Sequence, residues 1–185
     1  MFTFQQPAFE RGAHGECMPA ADATSQQDAK LDPDARAIRA LKEDVARRND
    51  GPIVVRRSDR ELFQARQGKL LFYLCPNNHR DTALQAWRVF IQEIRTCSGK
   101  HRHAGGLTIF VLEGRGYTIV DGQRWDWKKG DLVLLPMKVG GVEHQHFNLG
   151  SPETPAVWIA MINMAVHDYL ASDLEQIENS PDYKE

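Results

Sequence analysis

The chain has 185 residues, long enough for one well-buried core, so we expect a single domain with an N-terminal extension. Its formal net charge is −2 and it contains no long basic run, which argues against nucleic-acid binding. No apolar stretch is long enough to span a bilayer, and no apolar run follows a basic stretch near the N-terminus. The three cysteines are odd in number and lack paired spacing, which indicates a reducing compartment. We therefore expect a cytoplasmic protein without nucleic-acid or membrane partners.

The first fifty residues predict an arm followed by one helix. Residues 1–30 are rich in Ala, Gln, Pro and Gly and show no periodicity, so we interpret them as a flexible arm. Asp32 and Pro33 are typical of an N-cap and a first helical position. The turn-forming run Asn49-Asp50-Gly51-Pro52 ends the pattern. The sequence thus predicts an N-terminal helix at residues 31–52, with packing or dimerisation as its role.

From residue 53 onward the pattern changes to short β segments. Glycine-bearing turns separate several of them, and Asp121-Gly122 is the pair that a two-residue type I′ hairpin turn requires. Regularly spaced short strands with such turns indicate an all-β sandwich or barrel, which we place at residues 53–166. The predicted strands are Ile53–Arg56, Lys69–Leu74, Ala86–Ile94, Thr108–Leu112, Tyr117–Val120, Gln123–Trp127, Leu132–Leu135 and Ala156–Ile162.

After the barrel, the sequence predicts a short C-terminal helix. Leu170, Leu174 and Ile177 fall on one helical face between Asp168 and Glu178. We therefore interpret residues 167–185 as this helix followed by a tail.

Three histidines carry the strongest functional signal. His101 and His103 are two residues apart, so in an extended strand both imidazoles point to the same face. His144, from a distant strand, would complete a facial triad and leave open positions on a metal, as a catalytic site requires. The alternative is a set of core or surface histidines. We interpret His167, near the start of the predicted C-terminal helix, as a surface residue.

The segments that contain these histidines resemble the two motifs of the cupin superfamily. The first motif is His-x-His, then Glu, then Gly, and here it is His101-Arg102-His103 with Gly114 at the glycine position. The second is Gly-Asp, a short apolar strand, Pro and His-x3-Asn. Here it runs from Gly130-Asp131 through Pro136 to His144–Asn148. The resemblance implies a double-stranded β-helix, that is, a jelly-roll barrel, with a metal inside it.

One departure narrows the resemblance. Where the pattern expects Glu, the chain has Leu107 or Thr108, neither of which is a good metal ligand. The chain is therefore similar to the gentisate and 1-hydroxy-2-naphthoate dioxygenase branch, as a single-barrel relative. That branch binds iron through three histidines. Its pattern implies His144 as the third ligand, with His146 supporting the ligands or taking the place of His144.

Several neighbouring residues are candidates for supporting roles. Gln145 and Asn148 could orient the ligand histidines, or could make simple turn hydrogen bonds. A substrate carboxylate requires an arginine fork. Arg88 and Arg95 are an odd number of residues apart, so they face opposite ways on a regular strand. One of them, or Arg80, could reach the cavity, with surface salt bridges as the alternative.

Three neutral imidazoles leave the +2 charge of a metal uncompensated, which favours an anionic substrate with two oxygen donors. We predict Fe(II), with Mn, Ni, Zn or Cu as alternatives, bound by His101, His103 and His144. The predicted activity is a dioxygenase that cleaves a small aromatic or dicarbonyl-like hydroxy acid with O2. Two alternatives stay open: a metal-dependent isomerase, lyase or hydrolase, and a non-catalytic ligand-binding or sensor barrel. We also expect a homodimer that pairs through sheet edges.

Overall fold

The computed structural model describes residues 31–76, 78–79, 81–170 and 172–184. The predicted arm at residues 1–30 and the substrate candidate Arg80 lie outside the described residues. Among the described residues, one compact unit ends at Asp44 and a second begins at Val45. No helix in the described part of the chain is both long and apolar enough to cross a membrane.

The predicted N-terminal helix is present as α1, Pro33–Asp50. Its start has the expected cap, because Asp32 Oδ1 accepts a hydrogen bond from the Ala35 amide at 2.9 Å. At its end the Gly51 amide donates to the Arg47 carbonyl at 2.8 Å. The sequence therefore predicts this helix to within two residues at each end.

Eleven strands, one short helix and a 3-10 turn follow in the described chain. In chain order they are the 3-10 turn Arg57–Asp59, β1 Leu62–Ala65, β2 Gly68–Leu74, β3 Trp87–Ile94, β4 Lys100–His103, β5 Leu107–Glu113, β6 Arg115–Val120, β7 Gln123–Lys128, β8 Leu132–Leu135, β9 Val142–Asn148, β10 Ala156–Asn163, α2 Met164–Tyr169 and β11 Glu175–Glu178.

The strands form two antiparallel sheets, which confirms the all-β jelly-roll prediction. One sheet has six strands in the order β1-β2-β3-β10-β5-β8, and the other has five in the order β11-β4-β9-β6-β7. The inner face of the six-stranded sheet carries the apolar core, with Phe90, Ile109 and Trp158 among its buried side chains. The inner face of the five-stranded sheet instead carries four buried histidines. The two inner faces thus pair an apolar wall with an imidazole wall.

The tight turn predicted at Asp121-Gly122 is also found. It joins β6 to β7 with Val120 opposite Gln123, so the loop has two residues. Both turn residues have positive φ, 49° at Asp121 and 82° at Gly122, which is the requirement of a type I′ turn. The turn geometry therefore sets the register of this hairpin.

Two predicted elements differ from the structure. Residues 53–56 form no strand, and Ile53 is 84% exposed, because β1 already occupies the edge of the sheet beside β2. The short C-terminal helix lies earlier than predicted, at α2, where Asn163 caps it by accepting from the Val166 amide. Residues predicted to complete that helix form β11, which pairs with β4. The segment pairs with β4 instead of forming a helix, because this pairing satisfies the backbone amides and carbonyls that β4 would otherwise expose at the sheet edge.

Candidate metal centre

Direct pairing of β4 with β9 brings the three predicted ligand histidines together. These strands are antiparallel, with His101 opposite His144 and His103 opposite Val142. Side chains alternate along each strand, so both β4 histidines and His144 face the interior while Arg102 faces out. On the outside, Arg102 forms an ion pair of 2.9 Å with Glu143.

The three imidazoles form a tight, buried cluster. His101 and His103 are 5% exposed and His144 is 1% exposed. One ring nitrogen from each residue can be chosen so that all three lie within 4.8 Å of one another. The ring centroid of His144 lies 4.1 Å from that of His101 and 4.8 Å from that of His103. His144 is therefore the central member of the cluster.

Backbone carbonyls fix the protonation of two of the rings. His101 Nδ1 lies 3.2 Å from the Gly99 carbonyl oxygen, and His144 Nδ1 lies 3.0 Å from the Val142 carbonyl oxygen. A carbonyl can only accept, so both Nδ1 atoms must carry the proton. Each Nε2 then keeps a free lone pair. The Nε2 of His144 is buried with no hydrogen-bond partner among the described residues, as expected of an atom shaped to bind a metal.

His103 is oriented differently from the other two. The Gly105 amide donates to His103 Nδ1 at 3.0 Å, so this nitrogen is an acceptor. A neutral His103 in this arrangement carries its proton on Nε2. His101 and His144 thus present free Nε2 lone pairs, whereas His103 has to exchange its proton between nitrogens to present one at Nε2.

Burial keeps these histidines neutral. Desolvation lowers the pKa of His101 to about 4, against a weaker opposing effect of its hydrogen bond to Gly99. Desolvation also lowers the pKa of His103 to about 4, helped by the nearby His101, His167 and Arg88. The pKa of His144 is lowered well below its ordinary value, again mainly by burial. Neutral imidazoles are the form that binds a metal.

His146 is buried beside the cluster but has different partners. Its Nδ1 lies 2.8 Å from the Thr118 hydroxyl, which in turn accepts a hydrogen bond of 2.9 Å from Trp127 Nε1. With its oxygen occupied by the indole, the hydroxyl can donate to His146 Nδ1, which leaves the proton of a neutral His146 on Nε2. Burial lowers the pKa of His146 to about 3. This ring is therefore arranged to donate a hydrogen bond and not to present a lone pair.

The cluster opens onto a cavity of about 500 Å³ between the two sheets. Its lining includes five histidines and two arginines and no acidic residue among those described. Much of the remaining cavity surface is formed by aromatic side chains of the six-stranded sheet, namely Phe72, Phe90 and Trp158. Such a cavity suits a small, flat and negatively charged molecule.

A central segment of the chain matches a known family model. A cupin domain model matches residues 90–162, a segment that runs from the middle of β3 through β4 and β9 to the end of β10. Residues 90–162 are therefore similar to a cupin domain.

Parts of the chain also resemble individual proteins. The chain is 34% identical over 71 residues to a gentisate 1,2-dioxygenase from Ralstonia, a match that covers 38% of this chain and 19% of the relative. Among solved structures, Streptomyces PAC13 with uridine is 11% identical, with a TM-score of 0.50, covering 71% of this chain and 95% of that one. A mutant salicylate 1,2-dioxygenase from Pseudoaminobacter salicylatoxidans in complex with gentisate is 21% identical. Its TM-score is 0.48, and the match covers 78% of this chain and 37% of that one. The chain thus spans well under half the length of either dioxygenase.

The cupin barrel separates the two arginine candidates. Arg88 lines the cavity, and its Nε is buried with no hydrogen-bond partner among the described residues. Arg95 is exposed, and its Nε donates to the Pro152 carbonyl at 3.2 Å. The odd spacing predicts this opposition, since Arg88 and Arg95 lie on opposite faces.

Of the two roles left open for Gln145 and Asn148, the structure shows hydrogen bonds to the backbone. Gln145 lies on the outer face of β9, where strand alternation places it, and its Nε2 donates to the Ser98 carbonyl at 3.0 Å. Asn148 organises the following loop, accepting from the Gly150 amide and donating to backbone carbonyls. Among the hydrogen bonds of the described residues, neither side chain bonds to the rings of His101, His103 or His144. The backbone at Gly99, Gly105 and Val142 orients them instead.

Sequence reasoning also missed His167. Instead of lying on the surface it lines the cavity, with its ring centroid 6.4 Å from that of His103. Asn163 was the available signal, because a preferred N-cap residue there starts the helix at Met164 and turns the fourth residue of α2 inward.

The lowered histidine pKa values predict that the metal-free protein is destabilised by acid. Between about pH 6.5 and pH 4 the unfolded chain binds protons that the folded protein excludes, so the free energy of unfolding falls as pH falls. The loss at pH 5 should be on the order of 2 kcal/mol for each of His101, His103 and His146. Urea titrations at pH 7 and pH 5 measure it. The variant His146→Gln should show a shallower pH dependence, and equal unfolding free energies at both pH values would contradict the prediction.

Proposed function

We propose that His101, His103 and His144 bind Fe(II), and that the cupin is a dioxygenase for a small aromatic hydroxy acid. One observation carries this proposal. Three neutral imidazoles from two paired strands converge beside a cavity, and the Nε2 of the central one has no hydrogen-bond partner among the described residues. A buried nitrogen without a hydrogen-bond partner lowers the stability of the fold by about 1–3 kcal/mol. A bound metal would offset this cost, whereas a purely structural role for the histidines would not.

The donor set suits a borderline transition metal. Imidazole nitrogens bind iron, zinc, copper and nickel well, whereas magnesium and calcium prefer oxygen. Within that group, iron is supported by the 34% identity to a gentisate 1,2-dioxygenase. When bound, Fe(II) supplies open coordination positions and the redox capacity that O2 chemistry needs. Manganese, nickel, zinc and copper are the alternatives.

In this proposal Arg88 holds the carboxylate of the substrate. Its Nε is buried without a hydrogen-bond partner among the described residues, although it lies in the cavity next to the histidines. A guanidinium matches a carboxylate with two parallel hydrogen bonds. The cavity lining offers no described acidic residue that could neutralise it. An anionic ligand is therefore the natural partner for Arg88.

The other walls of the cavity would position the aromatic ring of the substrate and exclude water from it. Phe90 and Trp158 pack edge to face with ring centroids 5.8 Å apart, which leaves a firm apolar surface against which a flat ring can lie. His146 can donate its Nε2 proton to an oxygen of the substrate, because Thr118 fixes its other nitrogen. Partial shielding from bulk water strengthens the hydrogen bonds that Arg88 and His146 would make to the substrate.

Metal analysis and oxygen uptake test the proposal together. The protein would be purified without oxygen, its metal content measured, and O2 consumption followed with gentisate-, salicylate- and hydroxynaphthoate-type acids. We expect close to one iron per chain and uptake with at least one acid. Stoichiometric zinc or nickel with a flat oxygen trace would contradict the dioxygenase and favour a Lewis-acid enzyme. The cytoplasmic location and the homodimer stay predictions.

A further inference from the structure

The C-terminal segment runs along the whole length of the strand that carries His101 and His103. β11 pairs with β4, with Gln176 opposite His101. At one end of the contact Ser172 Oγ accepts from the Ala104 amide at 2.9 Å, and at the other Ser180 Oγ donates to the Cys97 carbonyl at 3.0 Å. The segment therefore forms the edge of the five-stranded sheet beside the metal centre.

The same segment closes one side of the cavity. Leu174 and Gln176 line it, whereas Glu175, between them, faces outward and pairs with Arg102 at 3.3 Å. The turn between β1 and β2 lies beside them, since the Ser180 amide donates to the Arg66 carbonyl at 2.7 Å. We call this side, formed by Leu174, Gln176 and the turn at residues 65–67, the C-terminal wall.

Leu174 is the residue of this wall that can change size without disturbing the fold. Gln176 is held, because its Nε2 donates to the Glu178 carbonyl at 2.8 Å and a Cβ at Gly99 would come within 2.5 Å of it. Leu174 is 46% exposed. The opposite walls, Phe90 and Trp158, belong to the buried core, so they cannot retreat without opening a cavity there.

We propose that Leu174 is a specificity-determining residue that limits the size of the acid the cavity accepts. A substrate held by Arg88 and the histidines meets rigid core on the inner side, so a larger ring system has to extend toward the C-terminal wall. Leu174 then favours acids with one ring over acids with two fused rings. This assignment rests on the proposed function for the class of acid, but the size limit itself is a property of the wall.

Binding measurements with matched variants test this role. Calorimetric dissociation constants would be measured on the full chain, metal-free and loaded with redox-inert Zn(II), for salicylate and for 1-hydroxy-2-naphthoate. Leu174→Ala removes three carbons from the apolar wall. The affinity for 1-hydroxy-2-naphthoate relative to that for salicylate should therefore rise by roughly 10-fold or more. Leu174→Phe should shift the ratio the other way. Ile177→Ala is the control, because Ile177 lies three residues further along the same segment, in β11, is similarly exposed and is not among the residues that line the cavity.

The outcomes separate the two proposals. An affinity ratio that shifts only in the Leu174 variants supports the proposal that Leu174 limits substrate size. This holds even if no oxygen is consumed and the dioxygenase proposal is thereby contradicted. If oxygen is consumed but the affinity ratio is unchanged in Leu174→Ala, or changes equally in Ile177→Ala, the proposed role of Leu174 is refuted and the dioxygenase proposal is not. Failure of every variant to bind either acid overturns both.

Discussion

A His144→Ala variant is expected to lose the metal. His144 lies between the other two histidines, opposite His101 across the strand pair, so its removal leaves only two neighbouring rings on one strand. Loss of a partner that merely orients a ligand costs 10- to 100-fold in affinity, so loss of a ligand should cost more than about 100-fold. Metal analysis of the purified variant, with oxygen uptake measured alongside, should show background values for both.

The stability of the same variant separates a metal ligand from a core histidine. Truncating a fully buried side chain costs about 2–5 kcal/mol, but here the loss also removes the orphaned Nε2, which offsets part of that cost. Added metal should raise the melting temperature of the wild-type protein by mass action and leave the variant unchanged. His167→Ala is the control, because it removes another cavity imidazole that is not part of the cluster. Full metal content in His144→Ala would refute the assignment.

An Arg88→Gln variant is expected to bind its acid about 100-fold more weakly while keeping its metal. A charge-assisted fork between guanidinium and carboxylate is among the stronger polar contacts in proteins, and a buried one is little screened by solvent. The dissociation constant or KM should therefore rise, with metal content unchanged. Arg95→Gln is the matched control, since that side chain is exposed, does not line the cavity and donates to the Pro152 carbonyl.

A substrate analogue makes this second prediction specific. Replacing the carboxylate of the acid by a neutral amide should weaken binding to the wild-type protein but hardly affect binding to Arg88→Gln. The two changes are then non-additive, as expected when they remove the same contact. If the acid and the amide lose affinity equally on substitution of Arg88, the arginine acts on the fold of the pocket and not on the carboxylate.

Periodicity explains what the sequence could predict. The two-residue spacing of His101 and His103 places both on one face of a strand, and the odd spacing of Arg88 and Arg95 places them on opposite faces. The Asp121-Gly122 turn was equally readable, because few residue pairs accept positive φ at both positions. In each case a local rule of the backbone decides the outcome. The role of the histidines as ligands stays a prediction.

The features that the sequence could not show depend on contacts between distant segments. β11 has a weak strand sequence, Glu-Gln-Ile-Glu, and becomes a strand because β4 presents an unpaired edge to it. The orientation of the rings comes from backbone atoms at Gly99, Gly105 and Val142, which any residue type supplies. Side-chain identity therefore says little about either feature.

Because His101 and His144 face each other across one strand pair, the centre has consequences for how the chain folds. Forming the β4–β9 ladder requires closing a loop of some forty residues, so it is a contact of high sequence separation and tends to form slowly. A slip of one residue in that ladder would turn Arg102 inward and the histidines outward. The imidazoles can therefore meet only in a barrel that has closed in the correct register. Under the proposed function, affinity for a metal is then a property of the completed fold and is absent from its partly formed precursors.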